Sequence, residues 1–204
     1  DKINHALSLQ EQENTDKDYR CYDIESIKNF LLSDAVVSDS DFFEDISSKL
    51  QCLKDEIQNV QNGRNNDKDD FYEGEISKHE ELCRDVILRR FHDKYSRDLI
   101  LTKELNEGSN RVDINIKYKA NPEFEVQIEC KKDKNAECFS GLKDQLINKY
   151  ICDPASTGTN KYGIYLVFYF GENVKSLEDI QKKLEKEITE EYKNNIKIII
   201  FDLR

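Results

Sequence analysis

Apolar residues recur along this chain in two rhythms, one of three or four residues and one of two, and the changes between them mark the elements. Residues 1–20 are polar and without period, which predicts a frayed or weakly helical start. Ile24, Ile27, Phe30 and Leu31 then form a helical stripe between Tyr22 and Leu32. Ser38-Asp39-Ser40-Asp41 offers an N-cap for a second helix, whose apolar side is Phe42, Phe43, Ile46, Leu50, Leu53, Ile57 and Val60. Asn62-Gly63 ends it, and Asn65-Asn66-Asp67-Lys68-Asp69-Asp70 reads as a solvated linker. A long helix is predicted from Phe71 to Tyr95, with Ile76, Leu82, Cys83, Val86, Ile87 and Phe91 on its apolar face.

From Leu99 the period changes to two. Leu99-Ile100-Leu101 predicts a short strand, and Glu107-Gly108-Ser109-Asn110 a turn. Val112, Ile114 and Ile116 alternate with polar residues, as do Val126, Ile128 and Cys130, with Asn121-Pro122 turning between them. A helix follows from about Glu137 to Cys152, carrying Leu142, Leu146, Ile147 and Tyr150. Asp153–Asn160 reads as a loop, and the unbroken apolar run Ile164–Phe170 as a central strand buried on both faces. Leu177, Ile180, Leu184 and Ile188 mark a helix within Val174–Tyr192, and Ile196–Phe201 a last strand. The expectation is an α/β fold, a mixed sheet flanked by helices, over residues 71–204. Residues 1–70 precede it as an acidic helical hairpin, packed on that core or serving as a connector.

Two strands of this pattern predict chemistry. Glu129 and Lys131 lie one pleat apart on one face. A turn centred on Asn121 places Asp113 opposite Glu129, with Cβ atoms about 5 Å apart. Two carboxylates so close raise one pKa unless a cation joins them. A divalent ion held by two carboxylates and several waters removes the conflict, as is usual for Mg²⁺.

Asp113 followed by Glu129-Cys130-Lys131, in this order of elements, resembles the PD-(D/E)xK nuclease superfamily and its restriction-endonuclease-like fold, from roughly Phe71 to the C-terminus. The stretch Gln145–Tyr150, followed by Tyr162–Gly171, is similar to nuclease-like domains attached to large bacterial proteins. Many of those carry nucleotide-hydrolysing modules and are linked to antiviral defence. The resemblance implies a metal-dependent nuclease, expected to be a DNA endonuclease effector domain. It implies Mg²⁺ or Mn²⁺ held by Asp113, Glu129 and the Cys130 carbonyl. Lys131 would orient a water or stabilise developing charge, and Gln145 would position the nucleophile. Such proteins often place a Glu of the first core helix near the metal; Glu80 and Glu81 are the candidates, with Glu81 preferred. The related Q-x-x-x-Y pattern is altered here: Tyr150 follows Gln145 by five residues, and Lys149 takes the fourth place. Arg111, Lys132, Lys134 and Lys149 are candidates for phosphate contacts. Such nucleases often pair to cut both strands, which implies a homo-oligomer.

Charge refines the picture. The net charge of −11 argues against a nucleic-acid partner, yet residues 1–70 hold 8 basic and 17 acidic side chains, whereas residues 71–204 hold 23 and 25. The acidity therefore belongs mainly to the first third, and nucleic acid remains the expected partner of the rest. The six cysteines are even in number, which is compatible with disulfides, but they are widely spaced and form no C-x-x-C pair. A reduced cytoplasmic protein is favoured. No apolar run approaches the roughly 18–20 residues of a membrane span. The chain contains no Met, and the expectation is a piece of a longer chain with upstream domains.

Three readings follow: a metal-dependent nuclease with Asp113, Glu129 and Lys131 at its site; a catalytically inactive nuclease-like module that binds nucleic acid or a partner protein; or a helical interaction domain led by residues 22–61, with the sheet as scaffold. The duller counterpart of the site is a surface salt-bridge ladder of Asp113, Glu129 and Lys131 on an exposed sheet face.

Overall fold

A computed structural model of the protein describes residues 36–58, 67–107, 110–152, 162–172 and 176–204. The stripe of residues 24–31 and Val60 lie outside them. The architecture below is that of the compact unit Ser38–Arg204.

Helix α1 spans Asp39–Gln58 and starts as its cap predicts, with the Asp41 N–H donating to Ser38 Oγ at 3.1 Å. Phe42, Phe43, Ile46, Leu50, Leu53 and Ile57 are all buried. Phe43 stacks on Tyr162 at 4.8 Å, and Phe42 meets Tyr118 at 5.7 Å. These contacts make α1 a layer of the sheet's own core, inside the same unit, and not part of a separate segment ending at residue 70.

The long helix expected from Phe71 is shorter. A 3₁₀ turn, Asp67–Phe71, leads into a small hairpin of β1 (Tyr72–Glu73) and β2 (Ile76–Ser77), and α2 runs only from Glu80 to Tyr95. Gly74 adopts φ +66° at the hairpin tip, a conformation that ends any helical run. Ile76 and Leu82, expected on the apolar face, are exposed. The buried face of α2 is Cys83, Arg84, Val86, Ile87 and Phe91.

Five strands form the main sheet: β3 (Leu99–Glu107), β4 (Asn110–Tyr118), β5 (Glu125–Lys132), β6 (Tyr162–Tyr169) and β7 (Ile196–Asp202), hydrogen-bonded in that order. β3, β4 and β5 are an antiparallel meander; β6 runs parallel to β5, and β7 parallel to β6. The first strand is much longer than the three residues its apolar run suggests. β6 is buried on both faces, as its unbroken apolar run requires. The fold is therefore a mixed α/β arrangement.

Helix α3 (Leu142–Ile151) and helix α4 (Leu177–Glu187) cover the face bearing Tyr165, Val167 and Tyr169. α1 covers the opposite face, where Tyr162 points. α4 is shorter than its predicted span and is capped by Ser176, whose Oγ accepts the Asp179 N–H. α3 is wound as a π-helix, seen at its end where the Cys152 N–H donates to Ile147 O at 2.8 Å. It sits close to β6 because residue 163 is glycine: a Cβ there would lie 2.9 Å from Leu146 Cδ1. Among the described residues no helix is long and apolar enough to cross a membrane, and the five described cysteines are free thiols. Cys21 lies outside them.

If α1 is a layer of the same core, Phe43→Ala lowers unfolding free energy by about 3–5 kcal/mol, the usual cost of emptying a buried phenylalanine site. Urea denaturation should give one transition at a lower midpoint. An unchanged midpoint would mean that α1 is not part of the cooperative unit.

Candidate active site

The C-terminal half of β5 carries the site. Glu129 and Lys131 share a face, and Lys131 Nζ lies 2.6 Å from Glu129 Oε1. Both side chains are more than nine-tenths buried. A charge in such a place needs a partner, because desolvation costs several kcal/mol per ion.

The β4–β5 ladder follows the register that the turn at Asn121 predicts: Lys117 pairs Glu125, Ile116 pairs Val126, Asn115 pairs Gln127 and Ile114 pairs Ile128. The next step in that register is Asp113 against Glu129, and there the described ladder ends. Asp113 instead reaches toward β5 with its side chain. Its Oδ2 accepts the Cys130 N–H at 2.9 Å, and its Oδ1 accepts from Arg84 Nη1 at 3.0 Å. Arg84 comes from α2 and is 3 % exposed.

One turn before Arg84 on the same helix, Glu80 supplies the opposite charge. Its Oε2 accepts the Lys132 N–H at 2.7 Å and the Asn135 Nδ2–H at 3.0 Å, and its Oε1 lies 3.8 Å from Lys131 Nζ. Glu81, the preferred candidate, is exposed on the outer side of α2. Glu80 lies three residues before Cys83 and four before Arg84, on the buried stripe of the helix, whereas Glu81 is turned about 100° away from it.

The start of α3 closes the site. A Cβ on Gly141 would lie 2.8 Å from Tyr165 Oη, 3.1 Å from Lys131 Cε and 3.6 Å from Gln145 Oε1. Glycine thus lets the helix approach β5 and brings Gln145 beside Lys131. The Gln145 Nε2–H donates to Glu137 Oε2 at 2.9 Å, and the Tyr165 hydroxyl donates to Cys138 O at 2.8 Å. The five-residue step from Gln145 to Tyr150 matches the i→i+5 bonding of a π turn, which absorbs one residue more than an α turn. Tyr150 is buried in the core, and Lys149 is exposed.

The expected phosphate contacts fare differently. Lys132 is turned inward: its Nζ donates to Ser77 Oγ at 2.5 Å, lies 3.5 Å from Glu172 Oε1 and sits 4.7 Å from the Phe170 ring centre. That ammonium is committed to the protein and is not available to a phosphate. Lys134 is 67 % exposed, 3.1 Å from Glu172 Oε2. Arg111 lies on β4, its side chain outside the described residues.

Burial and the nearby Asp113 carboxylate push Glu129 up to about 7, against the pull of Lys131. Burial alone would lower Lys131, but the Glu129, Glu80 and Asp113 carboxylates, Glu129 foremost, together more than offset it and raise the ammonium above its ordinary value. Burial also raises the Tyr165 phenol and the Cys130 thiol. Cys130 is therefore an inert core residue.

Among the described residues, no group of three or more His, Cys, Asp or Glu side chains gathers as a metal cage. The donors nevertheless suit a hard cation. They are carboxylate oxygens, and Glu129 Oε2 is buried without a hydrogen-bond partner. Mg²⁺ commonly takes one or two carboxylates and fills its remaining positions with water and substrate oxygens.

The family model described as "Domain of unknown function (DUF8371)" matches residues 43–172. The chain belongs to this family. The matched span of the DUF8371 domain runs from α1 through β6 and contains every residue of the site; α4 and β7 lie beyond it. No curated protein and no solved structure matches the chain.

Arg84, Glu137, Gly141 and the Tyr165 hydroxyl are the site residues that sequence reasoning missed. Arg84 alone carried a signal, since it interrupts the apolar stripe Cys83–Ile87 on the face that must be buried.

Two expectations follow in this DUF8371 domain. Glu129 binds its proton more tightly folded than unfolded, so it stabilises the fold below pH 4.5, and that contribution is lost as pH rises through about 7. In EDTA, wild type should lose more unfolding free energy between pH 5 and 8 than Glu129→Gln; equal slopes would place the Glu129 titration elsewhere. Gly141→Ala should cost about 1–3 kcal/mol, as overpacking does, because Tyr165 and Lys131 have no room to yield. Chemical denaturation measures it, and a neutral substitution would show that the start of α3 moves freely.

Proposed function

We propose that this domain is a divalent-metal-dependent nuclease that hydrolyses phosphodiester bonds, with DNA as its substrate. One observation carries the reading: the buried Lys131–Glu129 pair on β5, with the Asp113 carboxylate tied to the intervening Cys130 N–H. This groups a cation and two hard oxygen ligands at the carboxyl end of a parallel strand pair, where open α/β sheets bind ligands.

Asp113, Glu129 and the Cys130 carbonyl would hold Mg²⁺ or Mn²⁺, and Glu80 takes the place given to Glu81. The ion, when bound, acidifies a water and offsets phosphate charge. Lys131, held by Glu129 and Glu80, keeps its proton and offers a fixed positive charge to an anionic phosphorus centre. Gln145, with its Nε2 committed to Glu137, presents its carbonyl oxygen near Lys131, where it can accept a hydrogen bond from a water and so orient it. Gly141 and Tyr165 fix the distance between helix and strand. Lys134 and Lys149 remain candidates for phosphate contact; Lys132 does not. The five cysteines among the described residues, all free thiols, support a reducing, cytoplasmic setting.

A second reading has its own support. Arg84 already neutralises Asp113, as it would in an inactive module whose ancestral ligands serve only as an ion-pair network. The experiment separates the two. With Mg²⁺ or Mn²⁺ the protein should nick or degrade DNA, and Asp113→Ala, Glu129→Ala and Lys131→Ala should each lower the rate by about a hundredfold or more, with circular dichroism unchanged. Cleavage that survives all three substitutions would remove the site from the reaction.

A further inference from the structure

We propose that Arg84 sets the metal affinity of this site: its guanidinium occupies the charge position at Asp113 that a divalent cation would otherwise fill, and so keeps cation binding weak in the free protein. The inference rests on the nuclease reading only in the identity of the cation.

Arg84 Nη1 lies 3.0 Å from Asp113 Oδ1, and the other oxygen of that carboxylate accepts the Cys130 N–H at 2.9 Å. A metal approaching Asp113 therefore meets a carboxylate already engaged on both oxygens. The arginine cannot step aside by losing its proton, because a guanidinium stays charged throughout the accessible pH range. It cannot swing into solvent without emptying a buried position on the core face of α2, where it is 3 % exposed between Cys83 and Val86. A bound cation would thus sit beside a fixed positive charge and be repelled by it. Lys131 does not play this part, since it faces Glu129 and Glu80. With Arg84 uncharged, Asp113, Glu129 and Glu80 would share Lys131 alone, and the pull on a divalent cation would rise.

Mn²⁺ binding, followed by electron paramagnetic resonance of the free ion, tests this without reference to turnover. Arg84→Met, which keeps the length of the side chain and removes its charge, should bind Mn²⁺ at least tenfold more tightly than wild type. Arg84→Lys, which keeps the charge, should stay within about threefold of wild type. Adding Asp113→Asn to Arg84→Met should cancel the gain. Arg84→Met should also melt lower than wild type in EDTA and recover more on adding Mn²⁺. An arginine with a purely structural role would give the lower melting temperature without the tighter binding. Should Arg84→Met fail to fold, Arg84→Gln, whose amide can still donate to Asp113, is expected to shift affinity in the same direction.

Neutral variants that bind Mn²⁺ no more tightly than wild type overturn the proposal, and so does the absence of Mn²⁺ binding in every variant. Tighter binding by the neutral variants, with no DNA cleavage by any of them or by wild type, upholds the role of Arg84 and rejects the nuclease reading. Cleavage by wild type with unchanged affinity in the neutral variants does the reverse.

Discussion

The hydrogen bond from the Cys130 N–H to the Asp113 carboxylate is where the sheet stops being only a scaffold. Up to Ile114 and Ile128, β4 and β5 are held in an ordinary antiparallel ladder. One residue further, a side chain on β4 reaches the main chain of β5. Asp113 satisfies a buried donor that the sheet would otherwise have to pair, and in return its position is fixed. Glu129 and Lys131 stand on either side of that N–H, so the three charged residues are located by one strand and one contact across to it. The segment can bury charge because each charged group meets another within a short reach.

The balance of those charges governs what the site can bind. Arg84 and Lys131 face Asp113, Glu129 and Glu80, two cations against three carboxylates; Asp85, which also lies 3.5 Å from Arg84 Nε, is balanced by Lys103. One negative charge is left over in a place largely closed to water. A proton can supply the missing positive charge, which is why burial drives Glu129 up to about 7. A metal ion can supply it too, and Glu129 Oε2, buried without a partner, is the atom where either would be felt. A proton and a bound cation would thus compete for one deficit.

Helix α2 contributes both signs from successive turns, Glu80 toward Lys131 and Arg84 toward Asp113, so its rotational phase is set by two ion pairs as well as by its apolar face. α3 enters from the other side of the sheet and depends on Gly141 for its approach. Widening its turns to the π form lets Tyr150 enter the core while Gln145 stays near Lys131. Site and core are therefore not separable: the tyrosine whose hydroxyl borders Gly141 also fills the layer under α3.

Periodicity alone determined a good deal. The alternation around Val112 and Val126, the unbroken run of β6 and the stripe of α1 are consequences of which side chains must leave water, and that demand acts locally. The pairing register of β4 and β5 was equally legible, because a short turn leaves few alternatives. The start of α2 was not, since a hairpin two residues deep has no period to detect and Ile76 looks like a helix residue until Gly74 is seen to turn. The choice between two adjacent glutamates was legible but missed: Glu80 shares the helical stripe of Cys83 and Ile87, and Glu81 does not. The sequence could not show Arg84 on Asp113 or Lys132 folded inward onto Ser77. Those contacts join segments dozens of residues apart, and the partner of a buried charge is chosen by the packing of whole helices against the sheet, which no local pattern encodes.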